Sequence, residues 1–236
     1  MQDTASLFSD LLVKFRPAFT GPSFDRFRAL TVGWLLCAGR HPVSRAIQFA
    51  QAVGETGHHS TFYRFFSRAR WTADQLGRIV FLLVVALVPG ADVHVLVDDT
   101  LCRKGGAQLW GAGMHHDALK SNYGRGSRRV VSLAFGHNWV IVSVWVPLPW
   151  APHRGLAVPV LARLYRSKKA CRVKDEYRKR TQLALNALQL VVGWMPEGRR
   201  AVVVGDGEYS CRTVVRELPE GAVFVGRMGM DAALYE

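Results

Sequence analysis

The sequence predicts an α/β protein: a five-stranded mixed sheet with flanking helices, preceded by an all-α region. Three observations carry this. Up to about Pro89, apolar residues recur at helical spacing. From Ala91 onward, short β-branched runs alternate with a long helical pattern. Of the 236 residues, 49% are apolar, enough to bury a sizeable core.

The helical region comes first. FDRFRALTVGWLLCAG reads as a helix stopped by Gly39 and Pro42. VSRAIQFAQAV reads as a second, ending at Gly54. GHHSTFYRFFSRARW predicts a third, capped by Ser60 or Thr61, with Tyr63, Phe65, Phe66, Arg64, Arg68 and Arg70 on it. A basic, aromatic helix after a short turn suits a helix-turn-helix DNA reader, and equally an ordinary amphipathic helix with its arginines in water. The apolar run Ile79 to Val88 closes at Pro89 and is too short to span a bilayer.

The sheet region follows. VHVLV (93–97) predicts a buried strand ending on Asp98 and Asp99. Thr100 to Arg129 reads as a long glycine-rich, basic loop. RVVSLAF and WVIVSVWV flank Gly136-His137-Asn138, a hairpin signal, and residues 147–160 read as a proline-rich loop. A long helix is expected with Asp175 and Glu176 at its N-terminal end and Tyr177, Thr181, Ala184, Leu188, Val191 and Met195 on one face. AVVVG (201–205) is a strand ending on Asp206, CRTVVRELPE a short helix, and AVFVG (222–226) the last strand. Helical crossovers allow parallel pairing of the first, fourth and fifth strands. This is the element order of the ribonuclease-H-like fold. The expected domains are a helical DNA-binding region at 1–90 and a catalytic core at 91–236.

In open α/β sheets, sites form beyond the carboxyl ends of neighbouring strands. Asp98 and Asp206 would then stand side by side, and two close carboxylates repel unless a cation lies between them. Mg²⁺ fits, because it takes one or two carboxylates plus water and substrate phosphate. The alternative is that both acids are loop residues capping helices or turns.

Formal net charge is +13, with a sequence pI near 10.2, which favours a polyanionic partner, most naturally nucleic acid. Cys37, Cys102, Cys171 and Cys211 are scattered, which argues against a zinc site and suits a reducing cytoplasm. No signal peptide is evident. His115, His116 and Asp117 are adjacent, a poor spacing for one metal ion, and read as loop polarity.

VDDTLCRKGG (97–106) and VGDGEYS (204–210) resemble the first and second acid motifs of DDE transposases of bacterial insertion sequences. GHNWVIVSVWVPLP (136–149) is similar to that family's second and third strands, and STFYRFFSRARW (60–71) to the end of its helical DNA-binding region. The resemblance covers most of the chain. It implies Asp98 as the first catalytic acid, with Asp99 the alternative, and Asp206 as the second; Asp98 and Asp206 would hold Mg²⁺, with Mn²⁺ as a substitute. It also implies DNA cleavage and strand transfer at the element's terminal inverted repeats, joining to target DNA, and a homodimer acting on paired ends.

The family's third acid is a Glu on a downstream helix. Glu208, Glu217 and Glu236 do not occupy its expected position, so a chain ending before that acid is expected, with a non-catalytic DNA-binding repressor or inhibitor as the alternative. Candidate DNA contacts are Arg64 and Arg68; Arg103, Lys104, Lys120, Arg125, Arg128 and Arg129 on the loop after the first acid; and Lys168 and Lys169 in the basic stretch from Arg163 to Arg180.

Overall fold

The structure is a computed structural model that describes residues 3–106, 108–121, 131–171, 173 and 176–227. The chain divides into two compact units, Met1–Ile79 and Val80–Glu236.

The first unit holds α1 (Thr4–Val13), α2 (Gly21–Leu36), α3 (Val43–Ala52), α4 (His59–Ser67) and the first half of α5 (Ala73–Val85). Pro22 lies in the first turn of α2, where its fixed φ and missing N–H cost nothing. Ala29, Leu30, Ala46, Ile47, Ala50, Phe62 and Phe65 form the core of this unit. Helices α2 and α3 cross at Gly33, where any Cβ would run into the Ala46 carbonyl. The cap of α4 differs from expectation. His58, not Ser60 or Thr61, is the N-cap; its ring nitrogen accepts from the Ser60 backbone, and Thr61 donates its hydroxyl to the His58 carbonyl. Phe62 and Phe65 point inward, while Tyr63, Arg64, Phe66 and Arg68 are exposed.

The second unit is built on a six-stranded sheet. Its strands are β1 (Asp92–Arg103), β2 (Gly113–His116), β3 (Leu133–Leu148), β4 (Ala151–Tyr165), β5 (Arg200–Gly205) and β6 (Val223–Gly226). The order is β2-β3-β1-β5-β6, with β4 also paired to β3. β1 runs antiparallel to β3 and parallel to β5, which is parallel to β6. Helix α6 (Arg180–Gly193) links β4 to β5, and α7 (Arg212–Arg216) links β5 to β6. This is the ribonuclease-H-like arrangement, with six strands where five were expected: two predicted strands merge into β3, and β2 and β4 are additional. β2 lies within the segment read as a glycine-rich loop, and β1 itself runs on to Arg103.

Val93, Val95, Val97, Val140, Val142, Val144 and Val203 share one sheet face and are fully or almost fully buried. Phe81, Val84, Val85 and Val88 at and after the end of α5 cover them, with Ala184, Leu188 and Val191 of α6 and Val214 of α7. Arg199 donates to the Val85 and Val88 carbonyls, satisfying the C-terminal end of α5.

The expected hairpin around Gly136-His137-Asn138 is not there. Those residues lie inside β3, and the hairpin joins β3 to β4 instead. Gly136 serves close packing rather than a turn: a Cβ there would meet the Cys102 carbonyl of β1. The segment read as a proline-rich loop is β4. Among the described residues β4 pairs only with β3, so Pro152 and Pro159 cost no ladder bond on its other side, and the register shifts beside Ser143, the partner of Pro159. The long helix starts at Arg180, not near Glu176. Glu176 and Tyr177 precede it, and Asp175 lies outside the described residues. Among the described residues, no helix is long and apolar enough to cross a membrane.

Replacing Gly33 by alanine is expected to destabilise the first unit by about 1–3 kcal/mol, the usual cost of overpacking a close helix crossing. Chemical denaturation of the Gly33→Ala chain measures it; an unchanged midpoint would contradict the crossing.

Candidate active site

β5 ends at Gly205, opposite Val97, while β1 continues six residues further. Beyond that point β1 has lost its parallel neighbour, and a cavity of about 720 Å³ opens there. Asp98, Asp99, Thr100, Arg103, Arg180, Asp206 and Glu208 are among its lining residues. The two acid-bearing segments, 108 positions apart in sequence, thus meet at one cavity.

The strand pleat separates Asp98 from Asp99. Side chains alternate between faces, so Asp99 follows Val95 and Val97 onto the helix-covered face, and Asp98 points the other way. Their partners differ accordingly. Asp99 Oδ2 accepts from Asn138 Nδ2 at 2.9 Å and from Arg180 Nη1 at 3.0 Å. Asp98 Oδ1 accepts only the Asp99 backbone N–H, at 2.8 Å. Asp206 Oδ1 accepts from the backbone N–H groups of Glu208, at 2.9 Å, and Tyr209, at 3.4 Å. Asp98 and Asp206 therefore each hold one oxygen on the backbone and keep the other without a partner among the described residues.

Burial acts on two of the cavity's acids. Partial burial, together with the negative charges of Asp99 and Asp206, pushes the Asp98 carboxyl above its ordinary range, against the pull of the Asp99 N–H. Glu208 is pushed up mainly by burial, with Arg180 opposing. The donor set of Asp98 and Asp206 is hard oxygen, in a cavity open to solvent. It fits a divalent cation that keeps several waters and takes further oxygens from a phosphate. Among the described residues, no group of three or more His, Cys, Asp or Glu side chains is arranged to hold a metal ion.

Arg180 is the residue that sequence reasoning passed over. It is the first residue of α6, and its guanidinium bridges two acids: Nη1 to Asp99 at 3.0 Å and Nε to Glu208 at 2.8 Å. It also lies over the Tyr165 ring, 5.8 Å from the centroid. Tyr209 is fully buried below, and burial followed by the charge of Asp99 pushes its hydroxyl far above the usual range. The only signal for Arg180 was its place in the basic stretch ending at 180, and that stretch gave no reason to separate it from its neighbours.

The predicted DNA contacts divide. Arg103 lines the cavity and pairs with the buried Asp117 at 2.6 Å. Lys104, Lys120 and Lys169 are exposed, and Lys168 is exposed beside the Tyr177 ring. Arg125, Arg128 and Arg129 lie outside the described residues. Arg64 and Arg68 belong to the first unit, on the exposed side of α4. The adjacent His115, His116 and Asp117 part company: His115 is buried against Tyr165, and Asp117 is taken by Arg103.

Residues 14–236 match the sequence pattern of the DDE superfamily endonuclease family. No curated protein matches the chain. The match spans both acid motifs and the arginine that bridges their neighbours. The chain belongs to the DDE superfamily endonucleases, a family of transposase-like nucleases that act on DNA and generally use divalent metals.

Proposed function

We propose that this protein is the DNA transposase of an insertion sequence, cutting DNA at the element's ends and joining them to target DNA with Mg²⁺. One observation carries the reading: in a chain of this family, Asp98 and Asp206 face one cavity, each with an oxygen left free.

Asp98 and Asp206 are the residues that would hold Mg²⁺, or Mn²⁺ in its place. When bound, the ion supplies Lewis-acid polarisation of a phosphodiester oxygen and a more acidic water. The protein's own groups do the rest. The backbone N–H groups of Asp99, Glu208 and Tyr209 orient the two carboxylates. Arg180 and Asn138 both occupy Asp99 Oδ2, which favours Asp98 over Asp99 as the first acid. Arg103, Lys104, Lys120, Lys168 and Lys169 supply phosphate contacts, and α4 of the helical region supplies Arg64 and Arg68 for duplex DNA. The domains are then a DNA-binding region at 1–90 and a catalytic core from 91, acting as a homodimer on paired ends in the bacterial cytoplasm.

A second reading has its own support. Glu208 also lines the cavity, and Arg180 holds it. A product with only two free carboxylates would bind element ends without cutting them and so act as a repressor or inhibitor. Incubation of the chain with DNA carrying terminal inverted repeats separates the readings. Mg²⁺-dependent nicking at the ends supports the transposase; shifted but intact DNA supports the binder. Equal cutting of unrelated DNA would sink both in favour of a general nuclease.

Asp98→Asn is expected to lower Mg²⁺-dependent nicking by about 10²–10³-fold, the scale of removing one group that stabilises transition-state charge. It should also raise the thermal midpoint of the metal-free chain at neutral pH. The sign follows from the raised carboxyl: the folded state holds this proton more tightly than the unfolded state, so its loss as pH rises costs stability. The gain from asparagine should vanish below the ordinary carboxylate range, where both forms are neutral. Asp99→Asn should instead lower the midpoint, because it weakens the Arg180 bridge. If the two variants shift in the same direction, the assignment of Asp98 is wrong.

Arg180→Ala should cost about 1–3 kcal/mol in the metal-free chain, since it leaves two partly buried carboxylates unpaired. Mn²⁺ should restore more stability to this variant than to the parent, because a cation then relieves the uncompensated charge. Thermal melts with and without Mn²⁺ measure both effects; equal gains would reject the countercharge role.

Replacing Arg64 and Arg68 together by alanine should weaken duplex binding and make the slope of log K against log salt shallower by about one for each phosphate no longer neutralised. Titrations across a salt series check this, and an unchanged slope would remove α4 from the DNA path.

A further inference from the structure

Trp110 is left 71% exposed; Trp150 is more exposed still, at 80%, but among the described residues it is the Trp110 ring that meets a cation. Arg166 packs against one face of its ring, with the guanidinium 4.9 Å from the centroid. That guanidinium is itself fixed by Glu176 at 2.9 Å. The Trp110 carbonyl is pinned by the His137 ring at 2.9 Å, and His137 meets Trp139 edge-on at 6.2 Å. Gly111 follows with φ near 76°, and a Cβ there would strike Leu164. The chain thus turns sharply against the sheet directly after the indole.

The register places this feature on the active-site side. His137 and Trp139 lie opposite Cys102 and Thr100 of β1, so all four share the face to which Asp98 points. Cys102 is four residues beyond Asp98, about 13 Å along the strand at about 3.3 Å per residue. That is roughly four base steps of stacked DNA at about 3.4 Å each. Lys104 opens the same loop and is exposed.

We infer that Trp110, backed by Arg166, is a stacking platform for one unpaired base of the DNA strand held at the Asp98–Asp206 site. The inference rests on the DNA-processing reading of that site. An aromatic ring with a guanidinium on one face and solvent on the other presents a flat, apolar, sequence-tolerant surface. Cationic side chains beside it suit the backbone of the same strand. A base-paired nucleotide keeps its faces inside the duplex stack, so the platform selects a flipped or overhanging base.

The test uses the full chain and a duplex with a short single-stranded overhang, 2-aminopurine replacing one overhang base. The expected result is quenched 2-aminopurine fluorescence on binding, and no quenching when the probe base is paired. Trp110→Ala should abolish the quenching and weaken overhang binding by about 5- to 150-fold, with blunt duplex binding unchanged. Trp110→Phe should retain most of both, which guards against a folding defect in the alanine variant. Unchanged quenching in Trp110→Ala overturns the platform, as does an equal loss on overhang and blunt duplex. Failure of the parent chain to bind either DNA removes the DNA reading and the platform with it. Intact duplex binding without any overhang preference removes the platform alone.

Discussion

The Arg180 guanidinium, shared between Asp99 and Glu208, is the interaction on which the candidate site depends. Besides Asp117, which Arg103 takes, four acids line one cavity, and without an internal cation they would repel across a partly desolvated space. One arginine neutralises two of them and leaves the other two, Asp98 and Asp206, unmatched. Arginine suits this position better than lysine: its planar fork can reach two carboxylates in different directions and stays charged when half-buried. Helix α6 makes the placement possible. Its buried stripe of Ala184, Leu188 and Val191 fixes the helix on the valine face of the sheet, and that fixes where its first residue stands.

The pleat of β1 divides the labour of the two adjacent aspartates. Val93, Val95 and Val97 hold the odd-numbered side chains against the helices, so Asp99 inherits an inward direction and Asp98 an outward one. A slip of one residue would exchange them. The nine-residue register with β3 and the six-residue register with β5 both oppose that slip. The identity of the free acid is therefore a property of the whole sheet, decided by core packing rather than by either carboxylate.

Much of this was legible in the residues. The valine runs before Asp98 and Asp206 announced two buried neighbouring strands, and strand ends in such sheets are where sites form. Gly54 and Pro42 marked helix limits correctly. The failures are instructive because the residues were read by type and acted through context. Gly136 looked like a turn and is a point of close strand approach. Pro152 and Pro159 looked like loop formers and sit where an outer strand needs no N–H on its free side. Asp175 and Glu176 looked like a helix start, yet the helix begins at Arg180, where a basic residue is held by tertiary ion pairs. Nothing local marked the roles of Arg180, Asn138 and Trp110. Their roles arise from partners 81, 39 and 27 positions distant, respectively, a separation that periodicity does not span.

The β3–β4 hairpin bears on how the protein behaves in concentrated solution. β4 runs for fifteen residues with one side unpaired among the described residues, a template long enough to recruit a strand from another molecule. Two prolines interrupt that template by removing backbone donors, and Arg154 adds an exposed charge along it. The same prolines that disguised the strand in the sequence thus guard it against self-association, and replacing them would turn a well-behaved rim into a nucleus for aggregation.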